Sequence, residues 1–357
     1  MSLSAPRCLM PLALSLYFDL VRFGAALAVL LHHIWPLVFP RFPLPWPGHA
    51  AVVVFFVLSG YVISHAAHRV TETPRRFITH RAARILSVTV PALALSTCIA
   101  PWVSATELPN GGPLSQSAGE FFTRMVLNLV FVAQFWDLNA MVPFNAPYWS
   151  LNFEVAYYLL FGLWFYGTKS WRYYAVGAGA LLIGPKILLM MPVWLMGVGV
   201  QRWQPRWTEA TAAFWFVMTA LLGGLFFYFG VSTKIHLNAA ARWPVAWSHL
   251  SGANEFLGDS VLGLLVAVHF AAAGSLDRLS VCLAPVQRPI RFLASYTLST
   301  YLYHMPLAAL IGVAWGVWHP GLFLPLLVLG IGGLGHFTER RVHTVRAWLG
   351  RAFPATR

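Results

Sequence analysis

The sequence predicts an all-α fold: a polytopic transmembrane helix bundle of about ten spans with both termini in the cytoplasm. Three observations predict it. Hydrophobic residues make up 58% of the 357 positions and charged ones only 10%, against roughly 25% charged in a soluble globular chain. Such a chain has too little polar surface to cover a water-soluble fold. The apolar residues fall in many runs of about 20, the length that crosses a bilayer, leaving little sequence for a separate soluble domain. The formal net charge of +13 sits in short basic clusters between those runs and not in one patch. That pattern fits the positive-inside rule and argues against nucleic acid as a partner.

The spans run roughly Tyr17–Leu37, His49–Ala67, Ile85–Val103, Phe121–Asp137, Pro147–Tyr166, Tyr173–Val200, Thr211–Gly230, Gly258–Gly274, Phe292–Val317 and Leu322–Phe337. The fourth is short. The sixth is long and holds Pro185 and Pro192, so it is kinked or is two short segments. The N-terminal run begins near Leu12 and carries Asp19 and Arg22, which marks a retained helix and not a cleaved signal. Cys8, Cys98 and Cys282 are odd in number and widely spaced. They give neither a disulfide framework nor a metal-ligand spacing, and no metal is expected.

The loops orient the spans. Arg69, Arg75, Arg76, Arg81 and Arg84 follow the second span; Glu107 and Glu120 follow the third, with no Lys or Arg. Arg202 and Arg206 follow the sixth, Arg278, Arg288 and Arg291 the eighth, and Arg340, Arg341, Arg346, Arg351 and Arg357 the last. An even count of spans puts these clusters in the cytoplasm, with Lys169 and Arg172 falling outside. Pro40 to Gly48 and Pro109 to Pro113 read as short outer loops. No internal repeat of the transporter kind is visible.

Ionisable groups at membrane depth are costly, and each is a functional hypothesis. The first span, FDLVRFGAALAVLLHH, holds Asp19, Arg22, His32 and His33. At 100° per residue, Arg22 to His33 is about 1100°, or roughly 20° after three turns, so both lie on one face about 16 Å apart. His32 points about 80° away from Arg22, which selects His33 as the partner on the arginine face. Asp19, three residues before Arg22, can pair with it. The competing reading is a snorkelling Asp–Arg pair and a structural histidine.

In the second span, FFVLSGY places Ser59 and Gly60 where another backbone can approach, as a packing seam or a substrate contact. Ser59 as a nucleophile needs a neighbouring base, and the sequence shows none. The fifth span opens PYWSLNFEVAYY, with Glu154 about two turns in, behind Trp149, Ser150 and Asn152. A carboxylate there needs a partner, with Arg22 and the loop arginines available, or it forms a structural ion pair. Ser299, Tyr303 and His304 fall near mid-depth in the ninth span. Lys186, His269 and His336 are read as structural. The basic loop RRFITHRAARI presents Arg76, Arg81 and Arg84. These serve topology and anionic lipid, or clamp the phosphates of a nucleotide-bearing donor.

Taken together, these segments resemble the acyltransferase-3 family of membrane acyltransferases. Arg22 and His33 match its opening motif, an arginine, ten residues, then a histidine. FFVLSGY is similar to its FFxxSGF-like motif, with Tyr61 in place of Phe. The arginine loop is similar to its R-x-x-R-I segment, with Ser87 where the family often has Pro. WSLNFEVAYY and STYLYHMP are similar to its W-S-L-x-x-E-x-x-x-Y and Y-x-x-H-x-P-like segments. ERRVH, from Glu339, loosely matches its terminal I-E-x-P segment and lacks the Pro. The resemblance covers nearly the whole chain. It leads to the expectation of a single domain over residues 1–357, without the extracytoplasmic hydrolase-like domain some relatives carry.

The resemblance implies an integral membrane acyltransferase of a bacterial inner membrane. Such an enzyme moves an acyl group, most often acetyl, from acyl-coenzyme A to a hydroxyl. Typical acceptors are carbohydrates of the cell envelope; small molecules such as macrolides also serve. The expected partners are acyl-CoA, the hydroxyl acceptor and membrane lipid, and oligomers are compatible with it. On this reading His33 is the general base, with a covalent acyl-histidine as the rival form. Arg22 binds the donor's phosphates or stabilises the thioester oxyanion, and Asp19 orients it. Glu154 pairs with a basic group or positions the acceptor. Arg76, Arg81 and Arg84 hold coenzyme A at the cytoplasmic mouth. Ser59, Gly60, Trp149, Ser150, Tyr303 and His304 line the passage and complete the polar layer. A transporter or flippase of a polysaccharide precursor or small molecule is the second reading, and a non-catalytic scaffold the third.

Overall fold

The computed structural model describes residues 10–69, 73–103, 117–168 and 170–352. Cys8, Glu107, the loop from Pro109 to Pro113, Lys169 and Arg357 lie outside the described residues. Among the described residues all regular structure is helical: α1 (Leu12–Val38), α2 (Gly48–Ala67), α3 (Pro74–Val103), α4 (Ala118–Leu129), α5 (Trp149–Tyr166), α6 (Trp171–Ile183), α7 (Pro185–Trp203), α8 (Glu209–Tyr228), α9 (Val231–Arg242), α10 (Pro244–Ser248), α11 (Phe256–Ala273), α12 (Arg278–Leu283), α13 (Gln287–Ala294), α14 (Thr297–Ala308), α15 (Pro320–Phe337) and α16 (Val342–Ala352). Short 3₁₀ turns join several of them.

Six described helices are long and apolar enough to cross a membrane: α1, α2, α3, α8, α11 and α15 with its continuation to Arg351. Of the other four expected spans, the fifth is the continuous helix α5, and three are broken, each for a local reason. The expected fourth is helical only to Leu129. Beyond it Phe131 and Trp136 take positive φ angles of 58° and 52°, which a continuing helix cannot contain. The turn is fastened by Lys186, a buried side chain that donates to Gln134 Oε1 at 2.9 Å and to the Leu138 carbonyl. The expected sixth span divides into α6 and α7 at Gly184, whose φ of +87° precedes Pro185. Such an angle is cheap only for glycine, and proline suits a helix start. The expected ninth divides at Ser295 and Tyr296 into α13 and α14. After Pro306 it widens into a π-helical turn over Ala309–Ala314. Proline has no N–H to give to the preceding turn, which favours such irregularity.

The core is one continuous apolar cluster that includes Phe18, Val53, Phe153, Tyr157, Trp194, Phe270 and Leu302. Its closest crossing is α2 on α7. A Cβ on Gly60 would run into the carbonyl of Trp194, and one on Gly197 into the carbonyl of Val57. Small residues thus let the two backbones touch, the way helices gain contact in lipid. α1 lies between α2 and α14, so polar groups on α1, α2, α5 and α14 converge. Arg22, the start of α3, Arg291 and Glu339 gather at one end of the bundle, here termed the arginine end. His32, His33 and the start of α2 lie at the other, the histidine end.

Candidate active site

α1 carries the first two groups in phase, as a straight helix dictates. Arg22 lines a small cavity of about 80 Å³ together with Ser59, Arg81, Arg84, Glu154 and Tyr158. Three guanidinium groups and one carboxylate line the cavity, with Asp19 beside Arg22 and Glu339 beside Arg84 just outside its lining. Asp19 Oδ1 lies 3.5 Å from Arg22 Nη1, while its other oxygen receives a bond from Arg291 Nη1. Arg291 also donates to Ser15 Oγ at 3.0 Å. Asp19 therefore fixes Arg22 and ties α1 to α13.

Glu154 finds its partners in hydroxyls. Ser59 Oγ donates to Glu154 Oε1 at 2.6 Å, and the Tyr158 hydroxyl donates to the same oxygen. Trp194 Nε1 donates to Ser59 Oγ at 3.2 Å. The polar neighbour of Ser59 that the sequence did not show is thus Glu154. Arg81 and Arg84 lie 60° apart around α3 and both face this cavity. Arg76 is exposed and outside its lining. A second cavity of about 570 Å³, almost wholly apolar, runs between α3 and α5. It shares Arg81, Ile85 and Tyr158 with the small one, so the polar chamber and the apolar groove adjoin.

His33 sits three turns along α1 from Arg22. Its Nδ1 is 2.8 Å from the Val29 carbonyl and 3.3 Å from His304 Nε2. His304 is fully buried, and its Nδ1 is 2.9 Å from the Thr300 carbonyl. A carbonyl only accepts, so both rings carry their proton on Nδ1. His304 Nε2 then faces His33 as an acceptor, and His33 Nε2 keeps its lone pair for another partner. His32 is exposed and its Nδ1 is 2.9 Å from the Trp46 carbonyl.

The remaining sequence candidates lie elsewhere. Gly60 is at the α2–α7 crossing and not in the lining of the small cavity. Ser150 Oγ meets the Tyr301 hydroxyl at 2.7 Å. Trp149 stacks on His49, with ring centroids 6.1 Å apart. The Tyr303 hydroxyl donates to Thr338 Oγ1 at 3.0 Å, away from His33. Lys186 and His269 are structural: His269 Nε2 is 2.5 Å from the Tyr17 hydroxyl and its Nδ1 3.0 Å from Thr219 Oγ1. His336 is exposed.

Sequence reasoning gave Glu339 no role. Its carboxylate accepts from the backbone N–H of Leu298 at 3.1 Å and of Ser299 at 2.8 Å, and from Ser299 Oγ at 2.8 Å. It thereby satisfies the open N-terminus of α14, the helix that bears His304. Among its charged neighbours is Arg84. The signal that could have found it was the loose terminal motif that begins at this residue.

The sequence profile of an acyltransferase domain family, acyltransferase-3, matches residues 15–335. An O-acetyl transferase of Shigella phage Sf6 is 26% identical over 200 residues, 50% of this chain and 57% of that protein. An acyltransferase of Streptomyces mycarofaciens, MdmB, is 32% identical over 120 residues, 33% of this chain and 28% of that protein. The exopolysaccharide production protein ExoZ of Rhizobium meliloti is 30% identical over 133 residues, 35% and 37% of the two chains. The chain thus aligns with little more than half the length of the first of these and about a third of the others. No solved structure matches the chain.

Proposed function

The chain belongs to the acyltransferase-3 family, and we propose that it is an integral membrane O-acyltransferase. It moves an acyl group, acetyl in the simplest case, from acyl-CoA to a hydroxyl of a sugar or polysaccharide precursor. The observation that carries this reading is the shared face of α1. One end of that face meets a cavity of three arginines, and the other presents a histidine whose proton is held on the far ring nitrogen. The relatives' names supply the class: an O-acetyl transferase, an acyltransferase and an exopolysaccharide production protein. The whole 1–357 chain is read as one transmembrane domain of about ten spans in a bacterial inner membrane, with the arginine end and both termini in the cytoplasm.

The separation of the two groups supports a division of roles between them. Eleven residues of helix put Arg22 about 16 Å from His33 along the axis, too far for one acetyl group to touch both. Arg22, Arg81 and Arg84 therefore hold the phosphates of coenzyme A, with Arg76 drawing the donor towards the mouth. The flexible arm of the donor then runs along α1 and delivers the thioester to His33. There His33 Nε2 removes the proton of the acceptor hydroxyl as that oxygen attacks the thioester carbonyl. The carbon–sulfur bond breaks, the thiolate leaves with the proton, and the ester remains on the acceptor. His304 positions His33 through the Nδ1 contact. Ser59 and Glu154 shape the donor chamber, and Asp19 steadies Arg22.

The test is acetyl-CoA binding to the purified protein in detergent, comparing wild type with Arg22→Ala and His33→Ala. Saturable binding that weakens in Arg22→Ala and persists in His33→Ala supports the reading. No binding by folded wild type, over a panel of acyl chains, removes the donor assignment and favours a transporter.

A further inference from the structure

We propose that His49, Glu255 and Asp259 form a binding site for a divalent cation of the zinc class at the histidine end of the bundle. His49 is the second residue of α2, and Glu255 and Asp259 flank the first turn of α11. One ligand atom from each lies within 4.8 Å of the others. His49 Nε2 is 2.9 Å from Asp259 Oδ2. None of the three lines the donor cavity.

The second observation is an unanswered oxygen. Asp259 is 1% exposed, and its Oδ1 has no hydrogen-bond partner among the described residues. Ser232 Oγ lies close enough to stabilise this carboxylate, although neither its oxygen nor Asp259 Oδ1 finds a hydrogen-bond partner among the described residues. A buried carboxylate oxygen left in that state is costly. The cost is compounded by Glu255, four residues earlier on the same helix face, where like charges repel. One imidazole cannot balance two carboxylates. A dication can, and it replaces the proton between His49 Nε2 and Asp259 Oδ2.

The donor set selects the ion. An imidazole nitrogen with two carboxylates suits zinc or a neighbouring transition metal better than calcium or magnesium, which prefer oxygen alone. Donors at about 2.1 Å from zinc stand about 3.4 Å apart in a tetrahedron. His49 Nε2 and Asp259 Oδ2, now 2.9 Å apart, must therefore open by about half an ångström while the wider separations shorten, and Glu255, only partly buried, has the freedom to swing in. The fourth position falls to water or a ligand. His49 stacks on Trp149, so the ion would link α2, α11 and the start of α5.

The experiment uses the full chain in detergent, freed of any affinity tag and of metal by chelation, and titrated with zinc chloride. Metal content and the thermal unfolding midpoint are both read. Wild type is expected to retain zinc stoichiometrically and to unfold at higher temperature with it. Asp259→Asn is expected to bind at least tenfold more weakly. Because that variant removes a buried charge and can fail to fold, Glu255→Gln at the helix end serves as the second. It should also lose at least tenfold in affinity and most of the thermal gain. Equal zinc uptake by wild type and Glu255→Gln, or no rise of the wild-type midpoint with zinc, overturns the proposal.

Discussion

Ser59 Oγ donates to Glu154 Oε1 at 2.6 Å, joining α2 to α5 across ninety-five positions of sequence. The bond holds the carboxylate at the wall of the arginine-lined cavity, where Tyr158 donates to the same oxygen. Hydrogen bonds to charged groups contribute about 1.5–3 kcal/mol. Ser59→Ala is therefore expected to lower thermal stability in detergent by an amount within that range. Glu154→Gln, whose amide oxygen still accepts from both hydroxyls, should lose less stability than Glu154→Ala. Equal loss in the two Glu154 variants would show that the hydroxyls are not what holds this side chain.

Donor binding and chemistry should separate cleanly. Arg84→Ala removes one guanidinium from the cavity and should raise KM for acyl-CoA by roughly 10–100-fold, the equivalent of one charge-assisted bond. The kcat should change much less. Steady-state kinetics over donor concentration is the check. A fall in kcat with an unchanged KM would move Arg84 out of the donor site.

His33→Ala should do the reverse. Loss of a general base costs about a hundredfold to ten-thousandfold in rate, with donor affinity preserved because the phosphates are held some three turns away. His304→Ala should cost less, since His304 reaches the reaction only through His33 Nδ1. Wild-type turnover in His33→Ala would end its role as base.

Glu339 is expected to matter without touching substrate. Its carboxylate caps α14 through Leu298 and Ser299, and loss of such a cap costs about 1–2 kcal/mol. In Glu339→Ala, hydrogen exchange at the amides of Leu298 and Ser299 should quicken and the unfolding midpoint should fall. Unchanged protection at both amides would rule the cap out.

Gly60→Ala should destabilise the fold outright. A methyl there meets the backbone of α7 at Trp194, and a backbone cannot rotate aside as a side chain can. Overpacking of this kind costs about 1–3 kcal/mol. The thermal midpoint should drop, whereas Gly24→Ala, mid-helix with open space around it, should not lower it.

How far the sequence foretold this arrangement depends on whether one helix contains the information. Arg22 and His33 share a helix, so 3.6 residues per turn put them on one face before any fold was known. Arg81 and Arg84 were singled out as part of a basic loop, and the structure instead places them on the first turns of α3. The hydroxyls that bind Glu154, by contrast, include one from a helix ninety-five residues away. His49 and Asp259 stand 210 residues apart. Such pairs exist only once α2 has chosen its neighbours, and no local rule reports that choice. Hydropathy marked the fourth, sixth and ninth runs as spans because it counts apolar residues and ignores backbone angles. The breaks at Phe131, Gly184 and Ser295 are backbone events. Gly60, Trp149, Ser150 and Tyr303 are a different case: which neighbours they meet, the α7 backbone, His49, Tyr301 and Thr338, depends on how the helices pack.

The unbroken run of α1 between Arg22 and His33 also sets a phase constraint on how this chain can vary. Inserting one residue there would turn His33 about 100° out of register with Arg22, and inserting four would leave it about 40° out and about 6 Å farther along. A full seven would nearly restore the direction but lengthen the path by about 10 Å. The length of this stretch of α1 is quantised: nearly every insertion or deletion should separate the two groups more thoroughly than any substitution between them.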